Sequence, residues 1–151
     1  MNAFTLLKND HQTVADILTK IDGTTERGVK TREELFTRLK QELEIHTKIE
    51  ETIFYPALEE YEETRDITLE AFEEHRIVKQ FLSELQSLGK DEEQWTAKFT
   101  VLKENIEHHV EEEEGEMFKK ARKALTEEQI EDLGTRMEQA KLEQKKAASG
   151  R

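Results

Sequence analysis

Four of the five histidines fall into a pattern that could do chemistry. His46 and His109 each precede a glutamate by four residues, Glu50 and Glu113, while His11 and His75 interrupt stripes of apolar residues. An i,i+4 spacing on a helix puts imidazole and carboxylate on one face, a turn apart. If all six side chains face one core they form a ligand set, because buried charges and imidazoles are costly unless something satisfies them, and a pair of metal ions satisfies all six together. The chain has no cysteine, so a metal must rest on nitrogen and oxygen, and thiolate zinc sites, iron–sulfur clusters and thiol nucleophiles are excluded. A lone histidine on an apolar face is ordinarily a hydrogen-bonded core residue. Four in phase on a duplicated unit are not.

The elements that must position them are helices. Ala, Glu, Lys, Leu and Arg make up about half of the chain, a composition of long helices, and strand formers are scarce. Phe4, Leu7, Val14, Leu18 and Ile21 form the stripe of a first helix in which His11 fills the missing step. Thr31 with Glu34 reads as a capping box opening a second helix that runs to about Tyr61 and is kinked at Pro56. A third covers roughly 66 to 88, ending at Gly89. Asp91 and Gln94 cap a fourth that extends to about Lys123, and Thr126 with Gln129 caps a shorter fifth. The run KLEQKKAASGR reads as a frayed polar tail.

The segment from Asp10 aligns with that from Glu74, pairing His11 with His75, Val14 with Val78 and Leu18 with Leu82. The segment from His46 aligns with that from His109, pairing Glu50 with Glu113, Phe54 with Met117 and Tyr55 with Phe118. Two helical hairpins of one design follow, closing an all-α, up-down-up-down four-helix bundle over residues 1–123, with a short C-terminal helix and flexible tail over 124–151. His108 lies about 100° around its helix from His109 and faces solvent or a neighbouring helix. The acidic runs read as solvated faces. Glu114 is a substitute for Glu113 if the helix is overwound near Gly115, and a distorted turn at Pro56 could bring the Tyr55 phenol toward the metals.

A net charge of -12 repels phosphate backbones and anionic lipid, so neither nucleic-acid nor membrane binding is expected. No apolar run approaches a membrane span, and the opening MNAFTLLKND lacks the features of a secretory signal, which makes the cytoplasm the expected location.

In order, spacing and phase together, His11, His46-x-x-x-Glu50, His75 and His109-x-x-x-Glu113 resemble the hemerythrin-like family of HHE cation-binding domains over roughly residues 2 to 123. Ferritin-like di-iron bundles would instead show Glu-x-x-His. The resemblance implies two irons, with the four histidines as terminal ligands, Glu50 and Glu113 bridging, and an oxo or hydroxo bridge between the metals. Oxygen-carrying members have a further histidine where this chain has Lys79, and an aspartate where it has Glu114, so each metal would keep about one open position. The expected function is a non-haem di-iron protein that binds, senses or reacts with O2, peroxide or nitric oxide, or handles iron, as a monomer or weak homo-oligomer. The alternatives are a metal-independent helical interaction module and a di-zinc or di-manganese hydrolase.

Overall fold

The structure is a computed structural model and describes residues 1–149; the last two residues of the polar tail read above lie outside them. α1 (Ala3–Asp22) opens on Asn2, whose side chain accepts from the Thr5 N–H at 2.9 Å. It buries the expected stripe, Phe4, Leu7, His11, Val14, Leu18 and Ile21.

α2 (Val29–Ile49) begins two residues before Thr31, and the Thr31–Glu34 box does not form: Gly28 stands at the cap with no side-chain bond. A tertiary anchor sets this start. The buried Arg32 guanidinium donates to Thr24 Oγ1 at 2.8 Å, to the Lys90 carbonyl at 2.9 Å and to Thr96 Oγ1 at 2.9 Å, tying the first turn of α2 to two loops at once.

After Ile49 the helix widens into a π-turn at Glu50–Phe54, where the Tyr55 N–H bonds the Glu50 carbonyl, and continues as α3 (Tyr55–Glu59). Pro56 contributes, since its ring crowds the preceding turn and it donates no bond. It is not the whole cause. α5 (Glu93–Glu112) widens in the same way at Glu113–Met117 before α6 (Phe118–Ala124), with no proline there. Each π-turn starts at the glutamate of a His-x-x-x-Glu motif, and such turns concentrate at functional positions.

α4 (Glu62–Ser87) starts earlier than the periodicity suggests, because the buried Thr64 hydroxyl donates to the Leu58 carbonyl and folds the link into the helix. α7 (Glu127–Ser149) opens on the expected reciprocal cap, Gln129 N–H to Thr126 Oγ1 at 3.1 Å and Thr126 N–H to Gln129 Oε1 at 2.8 Å. It then runs as a helix to Ser149, well beyond the short element expected. Tertiary packing extends it: Ile130, Leu133 and Met137 join the core under Phe4 and Leu6, and α7 lies against α1 and α2. A Cβ on Gly134 would collide with the backbone of Met1 to Ala3, so this glycine permits the close crossing.

The architecture is thus a four-helix bundle plus a fifth long helix. Two apolar cores fill it, one around Phe4, Phe54, Tyr55 and Phe118 and the other around Phe36, Trp95, Phe99 and Leu102. On every bundle helix the inward histidine sits between residues of the first core and residues of the second, for example His11 between Leu7 and Val14 and His75 between Ala71 and Val78. The polar layer is a thin slab between two dry blocks. Among the described residues no helix is long and apolar enough to cross a membrane.

Candidate metal centre

All six residues singled out by spacing meet in that slab. His11 and His46 come from the first hairpin, with ring centroids 5.0 Å apart, and His75 and His109 from the second, 5.1 Å apart. The two glutamates lie between the pairs. Glu50 Oε1 is 2.9 Å from His46 Nε2 and 3.2 Å from His75 Nε2. Glu113 Oε1 is 3.1 Å from His11 Nε2, and its Oε2 is 3.4 Å from His109 Nε2. Each carboxylate therefore faces one imidazole of each hairpin. Both glutamates are buried, at 0% and 1% exposure.

His11 Nε2, both oxygens of Glu50 and Glu113 Oε1 have no hydrogen-bond partner despite these short separations. The atoms point at shared space rather than along donor–acceptor lines. Four orphaned buried polar atoms would be costly in a finished core. Ligand atoms of His11, His46, Glu50 and Glu113 lie within 4.8 Å of one another, as do those of Glu50, His75 and His109. Imidazole and carboxylate in these proportions suit iron, zinc or manganese, and the residues present fit a pair of such ions sharing Glu50.

The outer face of each imidazole is fixed as well. Asp10 Oδ2 holds His46 Nδ1 at 3.0 Å, Glu74 Oε1 holds His109 Nδ1 at 2.8 Å, Glu51 Oε2 holds His75 Nδ1 at 2.8 Å, and Glu114 Oε2 holds His11 Nδ1 at 2.6 Å. A carboxylate at Nδ1 keeps the proton there and turns Nε2 inward as the ligating atom. Local spacing gives Asp10, Glu51 and Glu74 no role and offers Glu114 only as a substitute for Glu113, although a signal is present: an acid stands directly before each lone histidine and directly after each motif glutamate. Glu114 does not replace Glu113, since the turn is widened rather than overwound. Lys79 points outward, with its ammonium 2.9 Å from Glu51 Oε2, so it braces the carboxylate behind His75. On the first hairpin Lys141 of α7 braces Asp10 in the same way.

The π-turn after Glu50 brings Tyr55 into the slab. Its hydroxyl donates to Glu113 Oε2 at 2.5 Å and lies 3.2 Å from His75 Nε2 and 3.4 Å from His109 Nε2. Burial first, and then the charges of Glu113 and Glu50, push this phenol well above its usual pKa and keep its proton in place. The repeat puts Phe118 at the matching position, so the phenol makes the two halves chemically unequal.

On the other side of the imidazoles lies a cavity of about 30 Å³, walled by the four histidines and by apolar side chains including Val14, Leu43, Val78 and Ile106. It has room for one or two water-sized molecules.

Without metal, burial alone would depress the imidazoles, but neighbouring carboxylates overcome it. His46 and His75 are raised above the usual histidine value, and His109, bonded to Glu113 and Glu74, is raised to about 10. A folded-state value above the unfolded one gives stability that is present below about pH 6.5 and is lost as pH rises through the folded value. The metal-free protein should therefore melt at falling temperature from about pH 6.5 toward pH 10, read by circular dichroism in chelator. A melting temperature that is flat or rising over that range would contradict this charge assignment.

A family description, the hemerythrin HHE cation binding domain, matches residues 2–121. An uncharacterized protein of Mycobacterium tuberculosis is 31% identical over 148 residues, covering 95% of this chain and 87% of the relative. An uncharacterized hemerythrin-like protein of Schizosaccharomyces pombe is 29% identical over 102 residues, covering 66% of this chain and 50% of that protein. The crystal structure of a hemerythrin HHE cation binding domain-containing protein from Mycobacterium kansasii superposes with a TM-score of 0.85 at 28% identity, over 98% of this chain and 90% of that one.

Proposed function

Because the chain belongs to the hemerythrin HHE cation-binding domain family, we propose that it is a non-haem di-iron protein that binds, senses or reacts with a small oxidant such as O2, peroxide or nitric oxide, or handles iron itself. The observation that carries this reading is the placement of Glu50 and Glu113, each shared between the two histidine pairs with carboxylate oxygens left unpartnered. The same atoms disfavour a metal-independent interaction module, in which buried Glu50 would rest on charge attraction to His46 and His75 with neither oxygen in hydrogen-bond geometry. His11, His46, His75 and His109 would be terminal ligands and Glu50 and Glu113 bridging ones. When bound, the iron pair supplies redox equivalents and an open coordination position for the oxidant.

The protein's own groups do the rest. Asp10, Glu51, Glu74 and Glu114 hold protons on Nδ1 and thereby aim each Nε2. The Tyr55 hydroxyl holds a proton at Glu113 Oε2, on the side of the second pair. The apolar walls of the small cavity exclude bulk water and any organic substrate, which favours diatomic or peroxide-sized ligands. The reading places the protein in the cytoplasm as a monomer or weak homo-oligomer.

The test is a visible spectrum with an iron assay on protein purified without an affinity tag. Charge-transfer absorption of a bridged diferric pair at two irons per chain is expected. A colourless protein holding zinc or manganese would point to the hydrolase, and a protein holding no metal to the interaction module.

A further inference from the structure

The duplicated halves differ at one surface in a way that points to a second kind of cation site. In the first hairpin α2 carries Ile45 and Ile49, four residues apart, on either side of His46, whose Nδ1 Asp10 holds. Both isoleucines are buried, in the core cluster that also contains Leu133 and Met137 of α7. Asp10 there divides its oxygens: Oδ2 holds His46 Nδ1 and Oδ1 takes the Lys141 ammonium from α7. One carboxylate thus joins a buried imidazole to a cation.

In the second hairpin the counterparts of Ile45, Ile49 and Asp10 are His108, Glu112 and Glu74. α7 packs on the first hairpin, and the His108 side chain is 73% exposed where Ile45 is 7% exposed. Glu74 Oε1 holds His109 Nδ1 as Asp10 Oδ2 holds His46 Nδ1, but among the described residues no lysine or arginine pairs with Glu74. The buried apolar pair has become an i,i+4 imidazole–carboxylate pair, with His108 Nε2 3.5 Å from Glu112 Oε2. Ligand atoms of Glu74, His108 and Glu112 lie within 4.8 Å of one another.

We propose that His108, Glu112 and Glu74 form a surface site for a first-row divalent cation, which stands in the second half where the Lys141 ammonium stands in the first. One imidazole nitrogen and two carboxylate oxygens, with water completing the sphere, suit zinc, cobalt or ferrous iron. The net charge of -12 favours arrival of any cation, while the histidine selects a borderline transition ion over calcium or magnesium. The site shares Glu74 with the outer face of His109, so a cation there draws on the same carboxylate that orients a ligand of the buried centre.

The experiment is a calorimetric titration of zinc chloride into the protein as purified, without a tag, in wild type and variants. The wild type is expected to bind one equivalent beyond the buried complement, in a weaker class. His108→Ala should weaken that class by about tenfold or more, and Glu112→Gln should weaken it in the same direction, with unchanged melting temperatures because both side chains reach solvent. Glu104→Gln, at an exposed acid on the same helix, should leave it unchanged. His46→Ala should alter the tight class and spare the weak one, which separates a failure of the outer site from a failure of the buried one. No weak class in wild type, equal binding by His108→Ala, or an equal loss in Glu104→Gln, as for diffuse attraction to an acidic surface, would each overturn the proposal. So would loss of the weak class in His46→Ala, which would make it slow filling of the buried centre.

Discussion

Glu50→Ala is expected to leave the protein with neither metal position filled. Glu50 Oε1 faces His46 of one pair and His75 of the other, so under the proposed bridging its removal would take a bond from both metals and leave each with three protein ligands at most. Loss of a group that merely supports a ligand lowers metal affinity by about 10–100-fold, and loss of a bridging ligand should exceed that at both positions. Glu113→Ala should behave alike, since its two oxygens divide between His11 and His109. The measurement is iron per chain after exhaustive dialysis, with the visible spectrum. Glu50→Gln is the companion variant, because it keeps the volume of a fully buried side chain and removes only the charge. Two tightly held irons with an unaltered spectrum in Glu50→Ala would refute the bridging assignment.

Metal removal should have the second-largest effect. A ligand bound only to the folded form stabilises it by mass action, by about 4 kcal/mol when its free concentration is a thousandfold above Kd. At this chain length each kcal/mol moves Tm by about 2–4 °C, so chelation should lower it by about 10 °C or more. The structure indicates where the loosening would fall. The slab contains the unpartnered oxygens of Glu50 and Glu113, and without an ion they must take water or protons into a layer that two apolar cores otherwise keep dry. Equal melting temperatures for metal-bound and chelated protein would favour histidines with a purely structural role.

The convergence of the six side chains was legible because it obeys a short-range rule. Helical period alone places His46 with Glu50 and His109 with Glu113, and the apolar stripes place His11 and His75 on inward faces; duplication then implies that the halves meet. The reciprocal cap at Thr126 and Gln129 was legible for the same reason, since both partners lie within one turn. The box at Thr31 and Glu34 failed although its pattern is as good, because Arg32 found partners near residues 24, 90 and 96 and fixed the helix start from outside it.

The sequence by itself thus determined an all-helical bundle, the order and inward phase of six candidate ligand side chains, and a chemistry confined to nitrogen and oxygen donors. Tertiary structure decided what surrounds them. Which acids back the imidazoles depends on the register between neighbouring helices: Glu51 reaches His75 from 24 positions away, Glu114 reaches His11 from 103, and Lys141 reaches Asp10 from 131. No local period encodes such distances. The π-turns at Glu50 and Glu113 shift the helical phase beyond them, which carries Tyr55 into the slab and which a uniform 3.6-residue repeat cannot foresee. The length of α7 was settled likewise by the groove that α1 and α2 offer to Ile130, Leu133 and Met137, because a mostly polar helix gains its stability from the face it buries rather than from its own sequence.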